Sequence, residues 1–107
     1  VGIKNIEKRF QVLEQLSNNY NFDIFLVIYP WAETLEFGQD KFNWSNFSKK
    51  LCSFERCHLI DSIPTFFRYK SNNESWITDL YFLNDEHLNK KGAKLLSEIV
   101  IKKLNEN

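Results

Sequence analysis

Apolar residues return at three- and four-residue steps through the first stretch of the chain: Ile3, Ile6, Phe10, Leu13, Leu16 and Tyr20, with Lys, Glu and Gln between them. That is one apolar face of a helix over about residues 3–19. Asn18, Asn19 and Asn21 end it, since asparagine tolerates the left-handed backbone of a helix C-terminus. The pattern then changes. Phe22 to Tyr29 is almost continuously apolar and rich in β-branched and aromatic residues, which predicts a strand buried on both faces, closed by Pro30. Residues 31–40 read as loop, with Gly38 and a helix N-cap at Asp40. Phe42, Phe47, Leu51 and Phe54 predict a second helix over about 41–53, and Cys57 to Asp61 a second short strand stopped by Ser62 and Pro64.

Beyond it, Phe66, Phe67 and Tyr69 fall on an irregular piece of one or two helical turns, and Ser71 to Asn73 on a polar turn. Trp76 to Phe82 fits helix or strand. Asn89 caps a last helix running to about Leu104, with Leu95, Leu96, Ile99, Val100 and Leu104 inward. Its Lys102 and Lys103 lie in the last turn, where cations suit the helix dipole.

Helices alternate with strands, and no hairpin signal interrupts them. That order predicts an α/β fold with parallel strands covered by helices. Two strands are too few for a doubly wound domain, which has about five. The 107 residues contain no methionine. The expectation is one partial α/β domain over 1–107, the C-terminal half of a larger one, whose unpaired strand edge favours self-association.

Composition narrows the function classes. Fourteen basic residues balance fourteen acidic ones, so no general electrostatic case exists for nucleic acid or an anionic membrane. No apolar run approaches the ~18 residues of a membrane span, and Val1 to Gln15 is too charged for a signal peptide.

The strongest chemical signal is Asp85-Glu86-His87-Leu88-Asn89, just before the last helix. A helix N-terminus favours neutral imidazole over imidazolium, and a carboxylate two residues earlier can accept the Nδ1 proton. An oriented neutral imidazole is what a general base for a hydroxyl nucleophile requires. A solvated polar turn entering a helix is the plainer reading of the same residues.

The stretch from Asp85 to Leu96 resembles the last motif block of SGNH/GDSL-type hydrolases: Asp, one or two residues, His, an apolar residue, Asn, two residues, Gly, then an apolar helix. Tyr29-Pro30-Trp31, Leu35, Trp44, Phe47, the cysteines before Ile60-Asp61, Pro64, Phe66-Phe67, Trp76 and Tyr81-Phe82 resemble one branch of that superfamily. The likeness covers about residues 22–104. It implies a flavodoxin-like three-layer α/β/α sandwich acting on ester bonds, as an ester hydrolase or O-acyl (acetyl) transferase. His87 would be the base and Asp85 its orienting partner. The implied substrate is a small-molecule or carbohydrate ester, with no cofactor, and the branch implies a bacterial cell-envelope location. The superfamily's nucleophile lies in a Gly-Asp-Ser block, and this chain has none. Gly2, Gly38 and Gly92 are its only glycines, and none belongs to the Gly-x-Asn-Asp oxyanion block. The nucleophile is therefore expected upstream of Val1. The alternative is a non-catalytic binding or scaffold module of the same fold.

Other candidates are weaker. Ile60-Asp61-Ser62 superficially resembles a nucleophile block but lacks the glycine, so Ser62 reads as a strand-end turn whose hydroxyl bonds nearby backbone. Cys52 and Cys57, with His58 adjacent, lack the further ligands of a zinc site. Two separate thiols are the expected state, with a disulfide the alternative in an exported protein. Trp31, just past the first strand, is a candidate substrate-pocket residue able to stack on a sugar, or a packing residue. Trp44 and Trp76 read as packing anchors. Lys90, Lys91 and Lys94 read as a solvated helix face, and the Asn43, Asn46 and Asn73 sequons as chance matches.

Overall fold

The computed structural model describes residues 2–106. It is a mixed α/β structure with, among the described residues, six helices and a two-stranded parallel sheet. Helix α1 spans Gly2–Tyr20 and ends where Asn21 takes a left-handed φ of 57°. Strand β1, Ile24–Ile28, pairs in parallel with β2, Cys57–Asp61, in a register running from Ile24 opposite Cys57 to Ile28 opposite Asp61. Between them lie α2, Ala32–Phe37, and α3, Trp44–Leu51. After β2 come α4, Ile63–Asn72, α5, Trp76–Leu80, and α6, Lys90–Asn105.

The segment read as loop at 31–40 thus contains a helix. Ala32 and Leu35, three apart, bury one side of α2, and Gly38 at φ 81° ends it by donating its N–H to the Thr34 carbonyl at 2.8 Å. Six residues give too little periodicity to register as a pattern. The cap of α3 is Asn43, not Asp40, because the Asn43 carboxamide oxygen accepts the Asn46 N–H at 2.9 Å. Helix α4 runs three turns and absorbs the predicted polar turn at Ser71 and Asn72. Both side chains bond back to carbonyls four residues earlier, which lets polar residues close a helix.

The core gathers Ala32, Leu35, Phe66, Leu80 and Tyr81, and α6 lays Leu95, Leu96 and Ile99 against it. Leu104, predicted inward, is exposed. Burial of β1 departs from expectation too. Ile24, Leu26 and Ile28 are half-buried, but Phe25 and Val27 are 42% and 36% exposed. One neighbouring strand and α3 cover only part of it. Along α1, Ile3, Ile6 and Leu16 are exposed as well, and Phe10 lines a groove with Phe47 of α3 and Phe54. The accessible surface of 7738 Å² exceeds the roughly 6,300 Å² expected of a compact chain this size.

Cys52 and Cys57 form a disulfide with a Cα–Cα distance of 5.1 Å. This corrects the expectation of two separate thiols: the turn between α3 and β2 folds back tightly enough to bring both sulfurs together. No described helix is long and apolar enough to cross a membrane.

Candidate active site

The segment between α5 and α6 is a tight reversal. Tyr81 and Leu88 form an antiparallel bridge, flanked by Phe82 N–H donating to the His87 carbonyl at 3.1 Å and Asn89 N–H donating to the Leu80 carbonyl at 2.9 Å. At the turn, Asn84 adopts a φ of 57°, which asparagine tolerates better than most residues. Asp85 and His87 stand on this reversal.

They meet through two bonds. The Asp85 Oδ1 accepts the His87 backbone N–H at 2.9 Å and lies 2.5 Å from His87 Nδ1. A carboxylate only accepts, so Nδ1 carries the hydrogen, and in the neutral ring Nε2 then presents a lone pair. The side-chain bond from His87, then the backbone bond, hold the Asp85 carboxyl below the ordinary carboxylate range. The side chains are 77% and 47% exposed for His87 and Asp85, so the pair faces outward. This arrangement can orient a base. It contains no nucleophile.

Asn89 and Gly92 explain the rest of the motif. Asn89 Oδ1 accepts the Gly92 N–H at 2.9 Å, capping α6, while its Nδ2 donates to the Thr78 and Tyr81 carbonyls at 3.1 and 3.3 Å. One side chain therefore fastens α6, α5 and the start of the reversal. Leu88 packs against the core. Tyr81 is buried and donates its hydroxyl to the Pro30 carbonyl at 2.6 Å, tying the reversal to the carboxyl end of β1. Burial, helped by the charge of Glu86 and by Tyr29, pushes the Tyr81 phenol well above its ordinary range. The Glu86 Oε2 is buried and has no hydrogen-bond partner.

Asp85 and Glu86 line a cleft of about 440 Å³ whose opposite wall is Ala32, Glu33 and Glu36 of α2. Neither serine nor cysteine lines it. Trp31 is 56% exposed and stands elsewhere, between two clefts of about 310 and 570 Å³ that it shares with Trp44. The structure therefore joins Asp85 with His87 and puts Trp31 across α2 from them. Ser62 is fully buried, and its hydroxyl donates to the Ile28 carbonyl at 2.7 Å, the backbone role expected of it. Trp76 is half-buried against Tyr81 and under Lys70, a packing anchor as expected. Trp44 packs on Phe42 and Phe47, as an anchor should, while staying 45% exposed and lining both aromatic clefts.

No protein family, curated protein or solved structure matches the chain.

A second histidine–carboxylate pair escaped the sequence. His58 Nε2 lies 3.2 Å from Asp23 Oδ2, Arg56 reaches Asp23 Oδ1 at 3.4 Å, and the His58 ring stacks on Phe25 with centroids 4.8 Å apart. It sits at the amino ends of the strands, across the β1–β2 pairing, and acts as a clamp between them. Asp23 and His58 are 35 residues apart, so no local spacing marks them.

Proposed function

We propose that the chain supplies the acid–base arm of a serine-type ester hydrolase or O-acyl transferase of SGNH type, within a flavodoxin-like α/β/α sandwich. The observation that carries the reading is the Asp85–His87 pair, in which one carboxylate oxygen takes both the ring Nδ1–H and the backbone N–H and leaves Nε2 free. In this reading His87 Nε2 removes the proton from a serine hydroxyl supplied by residues outside these 107, and later returns it to the leaving group. Asp85 fixes the tautomer and steadies the imidazolium that forms between the two steps. Oxyanion donors also come from outside. Carbohydrate and other small acyl esters are the substrate class, by analogy with the resembled superfamily.

The test is turnover of 4-nitrophenyl acetate by the complete polypeptide that carries these residues. His87→Ala should lower kcat by about 10²–10⁴-fold while the thermal midpoint holds. An unchanged rate removes His87 from the mechanism, and no turnover by the complete polypeptide leaves the non-catalytic binding module. The 107-residue chain alone is expected to be inactive.

A further inference from the structure

Helix α2 is a ridge with a different cleft on each flank. On one side Glu33 faces Asp85 and Glu86; on the other it joins Trp31, Thr34 and Trp44 around the aromatic clefts. Trp31, Thr34 and Trp44 are shared by both aromatic clefts, so the two form one groove parted at the indoles. At about 310 and 570 Å³ each has the size of a small-molecule site.

Both indoles are exposed, and that of Trp44 is held. Trp44 packs on Phe42 at 4.5 Å and edge-on to Phe47 at 6.3 Å. The loop before it is fastened by Gln39, which accepts the Ser45 N–H at 3.2 Å and donates to the Ser45 hydroxyl at 3.3 Å. Leaving large apolar rings half in water is unfavourable, and fixing them removes the entropy that binding would otherwise cost. Their neighbours on the wider cleft are two carboxylates, Glu33 and Asp40, one ammonium, Lys41, and the Thr34 hydroxyl.

That mixture selects its ligand. The carboxylates repel a polyanion such as nucleic acid, and an aliphatic chain would desolvate them without compensation. A neutral pyranose suits both components. Its C–H face lies on the electron-rich indole, and its equatorial hydroxyls donate to carboxylates at the rim.

We infer that the Trp31–Trp44 groove is a binding subsite for a neutral oligosaccharide, two or more rings long. A sugar seated there lies across Glu33 from the cleft that Asp85 and Glu86 line. The subsite thus deepens the proposed function, and rests on it for the statement that an acyl group on the bound sugar is the reacting part.

The experiment titrates the complete polypeptide with unesterified cellotetraose, chitotetraose and glucose, read by tryptophan fluorescence and calorimetry. No ester is present, so the result is independent of whether His87 catalyses. At least one tetrasaccharide should bind saturably and at least tenfold more tightly than glucose. Trp31→Ala and Trp44→Ala should each weaken it at least tenfold, and Trp31→Phe less, with unchanged thermal midpoints certifying the fold. No saturable binding of either tetrasaccharide overturns the inference, as does equal binding by Trp31→Ala. Shielding of both indoles from acrylamide in the unliganded protein, which would mean that another part of the polypeptide fills the groove, overturns it too.

Discussion

Gly92 and the Leu80 carbonyl are in such close approach that a Cβ on Gly92 would stand 2.1 Å from the carbonyl oxygen. The obstacle is backbone, in a residue that is itself fully buried, so it cannot swing aside as a side-chain tip would. Gly92→Ala should therefore force α6 away from α5 and lower stability by about 1–3 kcal/mol, measured by urea unfolding. The Leu80 carbonyl also receives the Asn89 N–H, so the displacement should disturb the reversal that carries His87. If the proposed function holds, Gly92→Ala should also lower turnover of 4-nitrophenyl acetate beyond what its loss of folded fraction explains.

Asp85 provides a pH test. Its folded-state pKa is depressed by the bonds from His87, so the unfolded chain binds more protons as pH falls through the carboxylate range. The stability due to this group is fully present above the unfolded pKa of about 3.9 and lost as pH drops through the lower folded value. Carboxyl NMR titration should place Asp85 below the other exposed carboxylates. In His87→Ala, where the bond from the ring is gone, its titration should move up.

The phenol of Tyr81 shifts the other way. Burial, then Glu86 and Tyr29, favour its neutral form, so the folded pKa exceeds the unfolded value of about 10. Stability from this group is present below pH 10 and declines as pH rises beyond it. Tyr81→Phe should remove that alkaline decline. At neutral pH the same change strips the buried Pro30 carbonyl of its 2.6 Å partner and should cost about 1–2 kcal/mol in chemical denaturation.

The disulfide closes a short loop, for which chain-entropy reasoning gives about 2 kcal/mol. Between the cysteines, Arg56 accepts the Ile24 N–H at 2.8 Å and reaches Asn21 and Asp23 with its guanidinium. Replacing both cysteines by serine should lower the unfolding free energy by about that amount, measured by chemical denaturation. Amide exchange at Ile24 should speed up more than at Ile28, because the loosened end of the sheet is the one that Arg56 holds.

The last helix and its cap were legible because a helical period sustained over sixteen residues and an asparagine oxygen are local facts. Both strands were legible for the same reason. What the pattern missed depends on distance or brevity. Helix α2 has six residues, Asp23 meets His58 across 35 positions, and the cysteine pairing follows from how the turn before β2 closes. The exposure of Phe25 and Val27 shows a further limit: continuous apolarity states what a strand is fit to bury, while its neighbours decide what it does bury. At the site, spacing found Asp85 and His87 but not the groove. Trp31 and Trp44 share it only because α2 turns the chain between them.

Asp85 and His87 occupy one three-residue span, and both of their mutual bonds lie inside it. The pair is a cartridge: base and orienting acid travel together wherever the reversal goes. Nothing that shifts α6, α5 or β1 need spoil their internal alignment, yet any such shift re-aims the lone pair on Nε2. Substitutions far from the pair should therefore act, on the proposed function, through the distance from Nε2 to the hydroxyl it would deprotonate, and leave the tautomer untouched. The side chain that sets the aim is Asn89, at the seam where all the neighbouring segments are fastened.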